Sequence, residues 1–298
     1  MAVGFIGLGQ MGLPMAKNLL KVCPQLRVNS ASGRAYPELK SLGAVATDDR
    51  RLLAQCQTVF LSLPDDEVIE EVLFSIQGIV QWMEPGSIIV DTSTVGHAQT
   101  LAIANRLAAS NIRFLDAPVS GMATRAVDGT LTAMCGGEPE VLNEIRPYLE
   151  AMASNIVHMG AAGTGQLAKL VNQLLYNINC AALAEILPMA CKVGLDPQKI
   201  TQVVNSGTGR SHASSYFLPQ ILAGSFDTAY PLQDAYKDMR HGAQLSMGQG
   251  IPLPVLAAAT STYQQALLQG LGSEDKGAMI KVYESLLNVK FRASTALG

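Results

Sequence analysis

The stretch AVGFIGLGQMGLPMAKNLL, residues 2–20, decides the fold. Ala2 to Ile6 is a short apolar run that stops at glycine, the pattern of a buried strand. From about Gly12 to Lys21 the pattern is helical. Between them Gly7-Leu8-Gly9-Gln10-Met11-Gly12 supplies GxGxxG spacing in the strand–turn–helix setting that a dinucleotide-binding loop requires. In such a loop the first glycine makes the turn, the second lets the backbone approach a pyrophosphate, and the third lets helix and strand pack closely. The N–H groups that open the helix then hold the phosphates. Away from that setting the same spacing would be a plain tight turn.

The strand–helix alternation continues along the first half. Leu26 to Asn29, Val59 to Leu63, Ile88 to Asp91, Ile112 to Asp116 and Leu131 to Cys135 read as strands, and Ala98 to Ala109 and Glu138 to Met152 as helices. That order predicts a parallel sheet covered on both faces. GAAGTG at 160–165 is a glycine-rich break, after which the β-rich runs stop. From Leu167 the apolar residues keep a 3.6-residue period to Val193, which predicts one helix about 40 Å long. Pro188 is expected to kink it near its end. Asp196-Pro197 supplies an N-cap and a first-turn proline for the next helix, and helical patterns follow at 213–222, 233–248, 254–269 and 275–287. The expected architecture is an α/β Rossmann domain over 1–162 and an all-α domain over 163–298, with 163–193 as a long interdomain helix. No internal repeat or low-complexity segment interrupts it.

Composition agrees with two packed domains. The chain has 298 residues, 48% apolar and 15% charged, ample for buried cores. Lys and Arg total 21 against 24 Asp and Glu, a net charge of −3 that offers no basic surface for nucleic acid. No stretch approaches the roughly 18–20 uncharged apolar residues of a membrane helix, and the start lacks the features of a signal peptide. Cys23, Cys56, Cys135, Cys180 and Cys191 are odd in number and form no CxxC pair, which reads as reduced thiols in a cytoplasmic protein. The four histidines, His97, His158, His212 and His241, show no metal-ligand spacing, so no metal is expected.

An NAD site usually carries an acidic residue about 20 positions after the glycine loop, on the ribose hydroxyls. Here the second strand ends in NSASGR, 29–34, and the next acid is Glu38. Ser30, Ser32 and Arg34 are suited to a 2′-phosphate, which favours NADP over NAD. Arg34 also reads as a solvated loop charge, so both cofactors stay open.

Seven segments together carry a family resemblance: GFIGLGQMGLPMAKNLL, LP at 63–64, DTST at 91–94, DAPVSG at 116–121, GTL at 129–131, GTGQLAKLVNQ at 163–173 and YKDM at 236–239. In this order, over essentially the whole chain, they resemble the β-hydroxyacid dehydrogenases, the group of 3-hydroxyisobutyrate dehydrogenase, tartronate semialdehyde reductase and glyoxylate/succinic semialdehyde reductase. The resemblance implies a Rossmann domain, a helical domain and interconversion of a small hydroxy acid with its carbonyl form by NAD or NADP. It makes Lys169 the catalytic lysine, with Asn172 and Gln173 on the same helical face. Ser120, Gly121 and the following Met122 correspond to the substrate-carboxylate site. Leu63, Pro64, Ser93 and Thr94 match positions along the ribose and nicotinamide. Lys237 matches a lysine that reaches back to the cofactor, and reads equally well as a helix-surface residue. A homodimer or homotetramer is also implied, in keeping with the charge-poor run from Ala257 to Leu268.

Four positions depart from the family pattern. Met122 replaces a frequent glycine, and Gln173 a frequent asparagine. Arg125 stands where a small residue is usual, and Ser30-Ala31-Ser32 takes the place of Asn-Arg-Thr in many NADP-preferring members. These departures bear on substrate and cofactor more than on reaction class. An imine reductase of the same architecture would typically lack the lysine, and a 6-phosphogluconate dehydrogenase would have a longer helical domain. A non-catalytic dinucleotide-binding sensor has no evident need for both Lys169 and Ser120.

Overall fold

The protein's structure, a computed structural model, describes residues 2–293. Its chain divides into two compact units, Met1–Lys169 and Leu170–Gly298. In the first unit β1 (Val3–Ile6), α1 (Gly12–Leu20), β2 (Arg27–Asn29), α2 (Tyr36–Ser41), β3 (Val45–Ala46), α3 (Arg50–Ala54), β4 (Thr58–Leu61), α4 (Asp66–Phe74), β5 (Ile88–Asp91), α5 (His97–Ala109) and β6 (Arg113–Asp116) follow one another. Then come β7 (Val119–Ser120), α6 (Met122–Asp128), β8 (Leu131–Gly137), α7 (Pro139–Glu150) and β9 (Ala153–Gly160).

The sheet order is β3-β2-β1-β4-β5-β6-β8-β7, with β9 paired to β8. The pairs from β3 to β6 are parallel. Every residue of β1, β4 and β5 is buried, as expected of strands covered by helices on both faces. Side chains alternate between the faces. Phe5, Phe60, Val90 and Leu115 join the core beneath α1 and α7, whereas Ile6, Leu61 and Ile89 join the core beneath α3, α4 and α5. The chain leaves β1 for β2 on one side and resumes on the other at β4, and this reversal of direction leaves a crevice at the strands' carboxyl ends.

Two features differ from the expected all-parallel sheet. β8 runs antiparallel to both β6 and β7; only Ala117 and Pro118 separate β6 from β7, too few for a crossover helix. β9 adds a parallel strand beside β8. Its side chains are largely exposed, so it lacks the apolar run by which the other strands were read.

The long helix α8 (Thr164–Lys192) has 29 residues, about 43 Å at 1.5 Å per residue, and it continues through Pro188 to Lys192. Length and composition alone would let it cross a membrane, although it holds no unbroken run of roughly 18–20 uncharged apolar residues. Asn172, Gln173, Asn177 and Asn179 interrupt its apolar runs. Its buried residues Cys180, Ala181, Ala184 and Leu187 belong to the core of the second unit. There α8 is followed by α9 (Pro197–Ser206), α10 (His212–Ala223), α11 (Leu232–Gln249), α12 (Pro254–Leu268), a 3-10 turn (Lys276–Met279) and α13 (Ile280–Leu287). Phe217, Leu232, Met239, Tyr263, Met279 and Phe291 fill this core. All five cysteines are free thiols.

Candidate active site

The glycine loop is built so that side chains are excluded from it. Gly7 has φ +98°, and a Cβ there would collide with the Ser62 carbonyl oxygen at the end of β4. A Cβ on Gly12 would collide with the Gly7 carbonyl. No atom lies within 4 Å of the position a Gly9 Cβ would take, so the backbone is open there. Leu8 is buried, Gln10 is exposed and Met11 is half-buried. Met11 is the N-cap of α1, with no side-chain cap and no acid in the first turn. An open backbone leading into an uncapped helix start suits a pyrophosphate, so the residues present fit a dinucleotide.

Past β2, Asn29 donates through Nδ2 to the Thr47 carbonyl at 2.8 Å. The Tyr36 hydroxyl holds both the N–H and the carbonyl of Ser30. Ser30 helps line a cavity of about 610 Å³ together with Asp49, Arg50, Arg51 and Trp82. Both arginines are ion-paired, Arg50 with Glu71 at 3.0 Å and Arg51 with Asp49 at 2.9 Å. They escaped the sequence reading because they lie beyond β3, about 20 residues from the serines. Ser32 and Arg34 are exposed, with the Arg34 N–H 3.5 Å from Ser32 Oγ.

A polar network joins the ends of β4, β5 and β6 to the start of α8. The Leu63 N–H donates to Ser93 Oγ at 2.9 Å, and the Ser93 N–H donates to Asp91 Oδ1 at 2.9 Å. Ser93 is thereby buried, while Thr94 beside it is half-exposed. Asp116, fully buried, accepts from the Gly163 N–H at 2.6 Å and the Gln166 N–H at 2.9 Å. A carboxylate bonded to the first N–H groups of a helix satisfies donors that otherwise have no partner and meets the positive end of the dipole. Asp91 and Asp116 are register partners on neighbouring strands. Burial, opposed by the Ser93 hydrogen bonds and reinforced by the Asp116 charge, pushes Asp91 up to about 6. Asp91 Oδ2 has no hydrogen-bond partner among the described residues. Burial also raises Asp116, against the pull of its backbone donors.

Ser120 ends β7, and the turn that follows is sharply bent. Gly121 has φ +143° and Met122 has φ +61°. A non-glycine residue at positive φ stores about 1 kcal/mol or more of strain, a second way in which Met122 departs from the family's glycine. Arg125 is exposed and its guanidinium donates to the Thr130 carbonyl, which ties it to its own loop. Asn18 of α1, buried, donates to the Ala126 carbonyl at 2.8 Å and so anchors α6.

Lys169, only 7% exposed, stands in the second turn of α8. Asn172 and Gln173 follow on the same helix, Asn172 exposed and Gln173 half-buried. Within the second unit Gln173 Nε2 donates to Asp238 Oδ2 at 3.1 Å, with Asp238 buried in α11 and Lys237 beside it. Asp91, Asp116 and Gln166 belong to the polar network of the first unit. Sequence reasoning did not assign roles to Asp116 and Gln166 because their partners lie tens of residues away.

Comparison with known proteins bears on the family and the cofactor. Residues 2–160 match the family described as the NAD binding domain of 6-phosphogluconate dehydrogenase, and residues 163–283 match that described as the NAD-binding domain of NADP-dependent 3-hydroxyisobutyrate dehydrogenase. The chain is 35% identical to 2-(hydroxymethyl)glutarate dehydrogenase of Eubacterium barkeri, covering 96% of each. It is 32% identical to 2-hydroxy-3-oxopropionate reductase of Escherichia coli K12, covering 97% of this chain and 99% of that one. The crystal structure of 3-hydroxyisobutyrate dehydrogenase from Salmonella typhimurium superposes with a TM-score of 0.85 at 28% identity, covering 95% of this chain and 99% of that one. The chain belongs to the β-hydroxyacid dehydrogenase family. It is an NAD(P)-dependent oxidoreductase acting on hydroxy acids.

Proposed function

We propose that the enzyme interconverts a small β-hydroxy acid and its semialdehyde or keto-acid form, with Lys169 as the general acid–base. The observation that carries this reading is the burial of Lys169 on a helix whose first turn is bound to the loop after β5. When bound, the nicotinamide supplies or accepts the hydride. Reduction leaves an alkoxide oxygen that needs a proton, which the Lys169 ammonium gives; in the oxidative direction the neutral amine takes the hydroxyl proton. The Ser120 hydroxyl and Gly121 N–H hold the substrate carboxylate, and Met122 narrows that side with an apolar thioether. Asn172 and Gln173 extend the substrate side of α8. The names of the two curated relatives support the class, since each denotes a carboxylate with a hydroxyl or oxo group on the carbon β to it. Ser30, Ser32 and Arg34 support NADP. An exposed apolar stripe along α8, Val171, Leu175, Ile186 and Met189, continued by Val193 just past its end, supports a homodimer or homotetramer. Sedimentation showing only monomer at micromolar concentration would contradict that assembly.

Steady-state rates with NADPH and NADH against glyoxylate, succinic semialdehyde, tartronate semialdehyde and methylmalonate semialdehyde, and in reverse with 3-hydroxyisobutyrate, test the reaction. The expected result is turnover of at least one pair, faster with NADPH. Lys169→Met is expected to lower kcat by about 10²-fold or more, with cofactor affinity nearly unchanged. Near-wild-type turnover in that variant refutes the role of Lys169.

A further inference from the structure

Gln166 lies in the first turn of α8, three residues ahead of Lys169, and is 3% exposed. Its side-chain amide grips the loop after β5 on both sides of Thr94. Nε2 donates to the Ser93 carbonyl at 2.8 Å, and Oε1 accepts from the Val95 N–H at 3.3 Å. Its own N–H is fixed by Asp116 at 2.9 Å. The far end of this grip is rigid as well: Ser93 is held by Asp91 and by Leu63, and the Thr92 hydroxyl donates to the Leu61 carbonyl at 2.6 Å. A primary amide presents donor and acceptor in one plane at fixed separation, so it sets both the distance and the rotation of the helix against the loop. Residues three apart share a helical face, and the side chain so placed is Lys169.

We propose that Gln166 is a positioning residue that holds Lys169 in register with Thr94, so that the lysine's proton is delivered in line with the cofactor-facing loop. The inference rests on the reading of Lys169 as the acid–base. Gln166→Leu removes both bonds. Gln166→Glu is conditional: an ionised carboxylate repels the Ser93 carbonyl, whereas the protonated acid restores both bonds, its O–H donating to Ser93 and its C=O accepting from Val95.

The test measures kcat and KM of Gln166→Leu, Gln166→Glu, Lys169→Met and the double variant Gln166→Leu/Lys169→Met, with NADPH and the fastest carbonyl acid of the panel above. Circular dichroism and Tm accompany each variant. Gln166→Leu is expected to lose 10- to 100-fold in kcat with less than threefold change in KM for NADPH. The ratio of Gln166→Glu to wild-type kcat is expected to rise at least fivefold as pH falls from 8.5 to 5.5, and the double variant to be no slower than Lys169→Met alone. Should Gln166→Leu not fold, the pH ratio of Gln166→Glu decides. A flat ratio, a kcat in Gln166→Leu within threefold of wild type, or an equal further loss on the Lys169→Met background overturns the proposal. A Lys169→Met enzyme as fast as wild type overturns the acid–base reading itself, whereas an inactive Lys169→Met beside an unimpaired Gln166→Leu overturns only the positioning role.

Discussion

Both units bury a lysine, and the two sites differ in what surrounds the ammonium. Lys276, 3% exposed in the 3-10 turn of the helical unit, donates to Asn177 Oδ1 at 2.9 Å and sits 3.8 Å above the Tyr176 ring. Asn177 in turn donates to the Ala235 carbonyl at 3.4 Å. That arrangement closes on itself inside a helical core, and burial lowers the lysine's pKa. Lys169 stands instead one turn beyond a clamp whose other end reaches β4 and β5, the strands whose ends meet the cofactor side of the sheet. Burial alone therefore does not distinguish the two lysines. What sets Lys169 apart, on the proposed reading, is the scaffold of fixed backbone groups that ties its helix to the loop after β5.

The largest contrast is expected in turnover. Lys276→Met should change kcat less than threefold, against about 10²-fold or more for Lys169→Met; a comparable loss in the two variants would erase the distinction. Next comes the scaffold. Asp116→Ala strands two buried N–H groups at the start of α8 and removes a carboxylate from a helix N-terminus, an expected cost of about 3 kcal/mol in urea unfolding. A loss below about 1 kcal/mol would show that the clamp is not tight.

Asp91 gives the scaffold a pH signature. Its pKa rises from 3.8 to about 6 on folding, so the folded state binds the extra proton. The associated stability is complete below pH 4 and is lost as pH rises through 6, a difference of about 3 kcal/mol. The stability of wild type relative to Asp91→Asn should fall over that interval, measured as the difference in unfolding free energy at pH 4 and 7. The smallest effect belongs to Lys276. Because its folded pKa lies below 10.5, the unfolded chain binds more protons in the window just below that value, and stability rises with pH there. Wild type should gain on Lys276→Met in chemical denaturation as pH rises toward 10.5, and a constant difference would mean that burial does not penalise the ammonium.

The same contrast explains what could be read from the sequence. The glycine loop, the buried strands and the long helix are written in neighbouring residues, so periodicity and spacing found them. β7 and β9 were missed because one has two residues and the other is largely exposed, leaving neither a clear apolar pattern. Among candidate site residues, Lys169 and Ser120 stood out through motif resemblance. Asp116 was visible inside DAPVSG, but its partners Gly163 and Gln166 lie 47 and 50 residues on, and nothing local announces a bond of that span. Lys276 and Asn177, 99 residues apart, were invisible for the same reason.

The division between the units falls inside α8, after Lys169, and this governs how the protein can be dissected. A fragment ending at that boundary would carry less than two turns of the helix, too little to persist alone. A fragment beginning at Leu170 would start with bare N–H groups and without the Asp116 carboxylate that satisfies the natural start. Cuts that respect the two cores therefore break the one element they share, and a cut ahead of Thr164 keeps the helix whole but still parts Gln166 from the Asp116 carboxylate.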